Sequence, residues 1–302
     1  MSAGWGPTGG RAATGAIYDR GYRHYSGARE GRARPIKAIL WAGIRRALGI
    51  KRPWRTKIVP SALLALAFIP AAVFVGVRVL AGDVADELLG YPEFFGVVGL
   101  VLLLFASTAA PELLCPDQRQ RVLTLVFTRP VSRLDYAAAK FGALAILMAI
   151  AAVLPMLLVY VGNAFSAASA LVFVRHNLGD LGRILLVGVV VTIFYASVAL
   201  ALSSLTDRRA IATASVLGLF LASAVIANVL FHTSLPGRRW LAFLALAELP
   251  GRFVDWVFGR PPEPGTMGAD AGFPGVSSVI ALAVACAAAA GVLAWRLRKV
   301  SP

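Results

Sequence analysis

Six apolar blocks, each about long enough to cross a bilayer, leave this chain few ways to fold. They run approximately over 58–79, 94–110, 142–162, 184–202, 210–231 and 276–295. A helix of about twenty residues at 1.5 Å per residue spans the roughly 30 Å hydrocarbon core. Backbone polar groups in that core need internal partners, so the expected fold is an all-α polytopic membrane bundle of about six helices. Composition agrees, with 58% hydrophobic residues and only 15% charged ones. The apolar residues come in blocks rather than at amphipathic spacing, as membrane spans do. The second block is the shortest and extends into its flanking Glu93 or Pro111 turn.

The charges lie outside the blocks, and this changes what a net charge of +15 means. No basic patch with interleaved aromatics belongs to a foldable soluble domain, so nucleic acid is not the expected partner; the lipid bilayer is. With the segment before the first block placed in the cytoplasm, 23 of the 30 basic residues fall on that side and seven on the other. The acidic residues divide the opposite way, six against nine. By the positive-inside rule both termini are expected in the cytoplasm, with the chain in the inner membrane. More than fifty polar residues precede the first block, so no cleavable leader is expected.

Three domains are expected. Residues 1–34 form a basic, tyrosine-rich, disordered arm. Residues 35–57 form an interfacial amphipathic helix: Pro35 suits its first turn, Ile36, Ile39, Leu40 and Ile44 recur on one side, and Lys37, Arg45 and Arg46 lie on the other. Residues 58–302 form the six-span domain. Within it the outer loop 232–275 holds an apolar stretch too short and interrupted to cross. A shallow or re-entrant helix pair, broken at Pro250 and anchored by Trp240 and Trp256, is expected there.

The chemistry of self-powered transport and of hydrolysis is missing from the sequence. No Asp, Glu, Lys or Arg occupies the middle of a block, where a coupling ion would bind. No GxxxxGK[ST] loop, HExxH or GxSxG occurs, and the blocks hold no histidine to serve as a base. Cys115 and Cys286 are expected at different depths, and the three histidines share no ligand spacing, so no metal or cofactor is expected.

That leaves the stretch between the second and third blocks, 111–141, PELLCPDQRQRVLTLVFTRPVSRLDYAAAKF. It is too polar to cross. Pro111 and Pro116 are expected to set a turn at the end of span two and start a short helix. Val122, Leu123, Leu125, Val126 and Phe127 give that helix an apolar face, while Asp117, Arg119 and Arg121 offer charges to a partner. Pro130 stops the run.

This stretch, read as DQRQRVLTLVF and then TRPVSRLDYAAAK, resembles the corresponding loop in permease subunits of type-2 ABC exporters. Those proteins carry a charged helix, Thr-Leu-like residues, an apolar run, a Pro-Val-Ser-Arg-like turn and a lysine before the next span. TRPVSRxxYxxxK is the most specific part. The six spans, the helix ahead of the first and an LxxLxxLP…G outer loop extend the resemblance from about Ala33 onward. It implies export driven by two separately encoded ABC ATPase subunits, which carry ATP and Mg, through a pathway formed with a second permease subunit, same or related. It implies a coupling helix whose Asp117, Arg119, Arg121, Leu123 and Phe127 contact the ATPase. Arg129, Pro130, Arg133 and Lys140 then lead into span three. Arg121-Val122 stands where many members have Gly-Thr, and Arg119 where they have a glutamate. On the residues alone, a membrane-embedded enzyme and a non-transporting scaffold remain open.

Overall fold

The computed structural model describes residues 31, 33–50, 53–81, 90–120, 122, 126, 131–167, 169–233, 237–262 and 266–299. Of the arm expected over 1–34, residues 1–30 and 32 lie outside them, while Ala33 and Arg34 open the first helix. The described residues form helices and connecting turns with no strand. In chain order the helices are α1 (Ala33–Ala47), α2 (Arg55–Ala81), α3 (Tyr91–Arg119), α4 (Arg133–Ser166), α5 (Ala170–His176), α6 (Leu178–Ser203), α7 (Arg209–Phe231), α8 (Leu249–Phe258), α9 (Met267–Ala271) and α10 (Val276–Lys299). A 3₁₀ turn over Arg238–Phe243 precedes α8. Six of them, α2, α3, α4, α6, α7 and α10, are long and apolar enough to cross a membrane.

Span α6 forms the middle of the bundle, with 67% of its most apolar window buried against 11% for α2. It packs on α3, α4, α7 and α10. Its Phe194 meets Phe220 of α7 edge-on at 5.9 Å, and the neighbouring Tyr195 ring lies 5.6 Å from the same phenyl. Phe94 and Phe105 of α3 and Leu144 and Met148 of α4 complete a core with almost no solvent exposure. Without a hydrophobic drive between helices in lipid, such contacts depend on close fit. Gly188 of α6 shows how close: an added Cβ would stand 2.4 Å from Cγ2 of Val153 on α4. Asn228 lies on an exposed face of α7.

Two spans are longer than their apolar blocks. Span α3 continues through Pro111 and Pro116 to Arg119, so neither proline sets the expected turn. Span α4 has 34 residues, about 51 Å at 1.5 Å per residue, well beyond the hydrocarbon thickness. Its start is fixed by a reciprocal capping box. Ser132 Oγ accepts from the Asp135 N–H at 3.1 Å, and the Asp135 carboxylate accepts from the Ser132 N–H at 2.9 Å. Both helices therefore project at the same end of the bundle, on either side of the 120–131 connection.

At the opposite end, Pro250 lies in the first turn of α8 and starts that helix instead of breaking a pair. Leu249, Phe253 and Val254 bury one side of α8 against α3, α6 and α10. Trp240 and Trp256 are exposed. Arg260 pairs with Glu93 at 2.5 Å, and Tyr91 stacks on Phe258 at 5.5 Å, tying this element to the start of α3. Half-burial pushes the Glu248 carboxyl up, while Arg252 one turn later draws it back.

Because Val153 is β-branched and cannot swing aside, Gly188→Val should destabilise the bundle by about 1–3 kcal/mol through overpacking. Thermal unfolding of the detergent-solubilised protein, followed against Gly218→Val at an open position, measures it; equal midpoints for the two variants would contradict the close α4–α6 crossing.

Candidate functional site

At the projecting end of the bundle a carboxylate is buried among cations. Asp117, in the last turn of α3, is only 6% exposed. Arg46 of α1 donates to its Oδ1. Lys140 Nζ of α4 lies 2.6 Å from Oδ2, and Tyr136 Oη donates to the same oxygen at 2.9 Å. Lys140, 4% exposed, also donates to the Leu113 carbonyl at 2.9 Å and stands 5.4 Å from the centre of the Tyr136 ring. One acid thus joins three helices, and each buried charge has a partner, as burial requires.

Local sequence explains how each side chain arrives. Tyr136 and Lys140 are four residues apart, which puts them on one face of α4. Leu113 and Asp117 repeat that spacing on α3. Arg46 reaches Asp117 because α1 lies close on α3 and α4 through Gly43, Ile44 and Ala47. A Cβ on Gly43 would stand 2.9 Å from Cβ of Ala143, so the absence of a side chain there sets the approach of the whole helix.

Other ties converge on the same end. Arg209 at the start of α7 pairs with Glu112 of α3. The Ser204 carbonyl at the end of α6 accepts from Gln118 Nε2 at 3.1 Å and from Arg296 Nε at 3.2 Å. Arg133 donates to the last carbonyls of α10, Leu297 at 3.1 Å and Arg298 at 2.8 Å. Helix C-termini leave such carbonyls without intrahelical donors, and here side chains supply them. A cavity of about 360 Å³ opens between α1, α2, α3 and the start of α7, with Arg46, Glu112, Arg209 and Thr213 on its wall.

Of the residues expected to form the site, Asp117 and Lys140 are brought together in the buried cluster. Asp117 is committed to these three internal donors. Arg133 is committed to α10. Arg119 is exposed at the end of α3. Arg121, Leu123, Phe127, Arg129 and Pro130 lie outside the described residues. Between them, the Val122 N–H donates to the Asp117 carbonyl at 3.1 Å and the Val126 N–H to the Val122 carbonyl at 3.0 Å. Val126 packs on the core. Arg46 and Tyr136 were not foreseen as site residues. The i, i+4 spacing of Tyr136 and Lys140 was a usable signal, whereas nothing local marks Arg46. Among the described residues no group of His, Cys, Asp or Glu could hold a metal ion. The arrangement is mechanical: it fixes the two stems of the 120–131 connection to each other and to α1.

A family model described as ABC-2 family transporter protein matches residues 88–247, more than half of the chain, including α3, α4, α6 and α7 entire. Among curated proteins none matches the chain.

Removing one partner of a buried ion pair strands the other, at a cost of about 3–5 kcal/mol. Asp117→Asn, which strands Lys140 and deprives Arg46 of its acid, should therefore lower the unfolding midpoint sharply, and Lys140→Met, which leaves Asp117 its Arg46 and Tyr136 donors, should lower it less. In the double variant the losses should fall short of additive, because Lys140 is then no longer stranded. A thermal-unfolding double-mutant cycle checks this, and additive losses would show that the two residues do not share an interaction.

Proposed function

This chain belongs to the ABC-2 family of transporter proteins, and we propose from that premise that it is the membrane permease subunit of an ABC exporter. ATP and Mg are bound by a separate ATPase subunit, two copies per complex, while this chain supplies the path through the bilayer. The observation that carries the reading is the family match across 88–247, which contains the projecting stems of α3 and α4 and the buried Asp117 cluster between them. The missing phosphate-binding loop agrees with energy supplied from outside the chain.

The proposed division of the chain is a basic arm over 1–34, an interfacial helix over 35–57 and a six-span domain over 58–302. The excess of basic residues at the α3–α4 end and before α2 supports a cytoplasmic position for that end in the inner membrane, with both chain termini inside. The ATPase docks there. Arg119, Arg121, Leu123 and Phe127 form the contact, and Arg129 and Pro130 follow it in the sequence before α4. Asp117 and Lys140 lie buried at the base of this contact and fasten α1, α3 and α4 to one another, so a push there moves three helices together. The thinly covered α2 and the open face of α7 support a second permease copy, same or related, on that side. The apolar spans suit a lipid, a hydrophobic drug or peptide, or a lipid-linked glycan as cargo.

Reversing Arg119 and Arg121 to glutamate should cut co-purification of the ATPase about tenfold or more, since like charges across an interface cost several kcal/mol. The unfolding midpoint should barely change, because Arg119 is exposed. Undiminished ATPase recovery and transport in that double variant would overturn the docking assignment.

A further inference from the structure

A second feature at the same end of the bundle owes nothing to the docking segment. A groove of about 890 Å³ runs between α4, α6 and α10. Its walls are apolar and largely of small residues, among them Ala137 and Phe141 of α4, Ile193 of α6, and Cys286, Ala290 and Ala294 of α10. The one hydroxyl partway along, Ser197, donates back to the Ile193 carbonyl at 2.6 Å. Polarity is confined to one end, where Ser132, Arg133 and Arg298 close the groove.

We propose that this groove holds an anionic glycerophospholipid of the adjoining leaflet, with its headgroup at Arg298 and an acyl chain along the alanine-lined wall. Length supports the assignment. From Cys286 to Arg298 the α10 wall extends about 18 Å, close to half of the roughly 30 Å hydrocarbon core. The groove thus starts at headgroup level and ends near the midplane, as one acyl chain does. The volume lies within the roughly 300–1,000 Å³ typical of ligand sites and far exceeds a packing defect.

Charge supports the choice of lipid. Arg298 is exposed at the mouth, and Lys299 stands 3.9 Å from the Trp295 ring centre beside it. Basic side chains next to a lipid surface favour anionic headgroups. Arg133 already serves the carbonyls of α10 and contributes field more than contact. Asp135, the nearest acid on α4, is turned into the capping box with Ser132. A second copy fits less well. A two-fold contact through this groove would set each cationic mouth against its equivalent at the same depth.

The full chain, purified in detergent with any co-purifying subunit, is titrated with phosphatidylglycerol or phosphatidylcholine and examined by native mass spectrometry. Wild type should retain phosphatidylglycerol about fivefold better, the effect of one basic side chain beside an anionic lipid. Arg298→Gln should erase that preference. Ala137→Leu with Ala290→Leu should reduce retention of both lipids by filling the groove. Equal retention of the two lipids by wild type, or an unchanged preference in Arg298→Gln, would overturn the proposal. So would an intermolecular Cys286 disulfide on mild oxidation, lost in Cys286→Ser, because it would place a second copy there. Lipid retention is read without ATP turnover, so the outcome is independent of the docking assignment.

Discussion

The carboxylate of Asp117 holds the working end of this bundle together. Two cations and a phenol from two other helices converge on it, and the buried Lys140 depends on it for charge compensation. An ion pair so enclosed adds little net stability over a well-packed apolar substitute. Its value is geometric, because it admits one relative placement of α1, α3 and α4. Helix–helix contacts in lipid otherwise depend on fit alone, which permits sliding along the axis. A carboxylate with three directed donors does not.

Much of the architecture was legible in the sequence because lipid is a demanding solvent. The six blocks had to be helices, and each became one. What could not be read was how far each helix continues. Pro111 and Pro116 are ordinary stop signals, yet α3 passes through both. Beyond the apolar block its last turn is held by Lys140 on the Leu113 carbonyl and by the donors on Asp117, and no local pattern reports such partners. The same applies to Arg46, 71 residues from the acid it meets. Its basic neighbours are read equally well as headgroup contacts. Charge had singled out Asp117, and the resemblance Lys140, but burial decides whether a charge faces a partner or the interior.

The two ends of the bundle are built differently. The loop end is cross-tied by side chains that serve helix carbonyls, with Arg133 on α10, and Gln118 and Arg296 both on Ser204. The opposite end relies on aromatic stacking, the Arg260–Glu93 ion pair and the short helix α8 tucked against three spans. Between the ends the spans meet through alanine, glycine and aromatic rings. Directed polar bonds thus confine the loop end, while packing alone governs the middle.

The acidic and basic side chains of the described spans are gathered at the helix ends, and this sets how those spans respond to membrane voltage. An elementary charge carried across the field is worth about 2.3 kcal/mol per 100 mV. Tilting these helices carries almost none, since the charges stay near the surfaces and the deepest of them, Asp117 and Lys140, travel as a pair of opposite sign. The moving parts are therefore electrically silent, and any dependence of turnover on membrane potential reports the charge of the cargo.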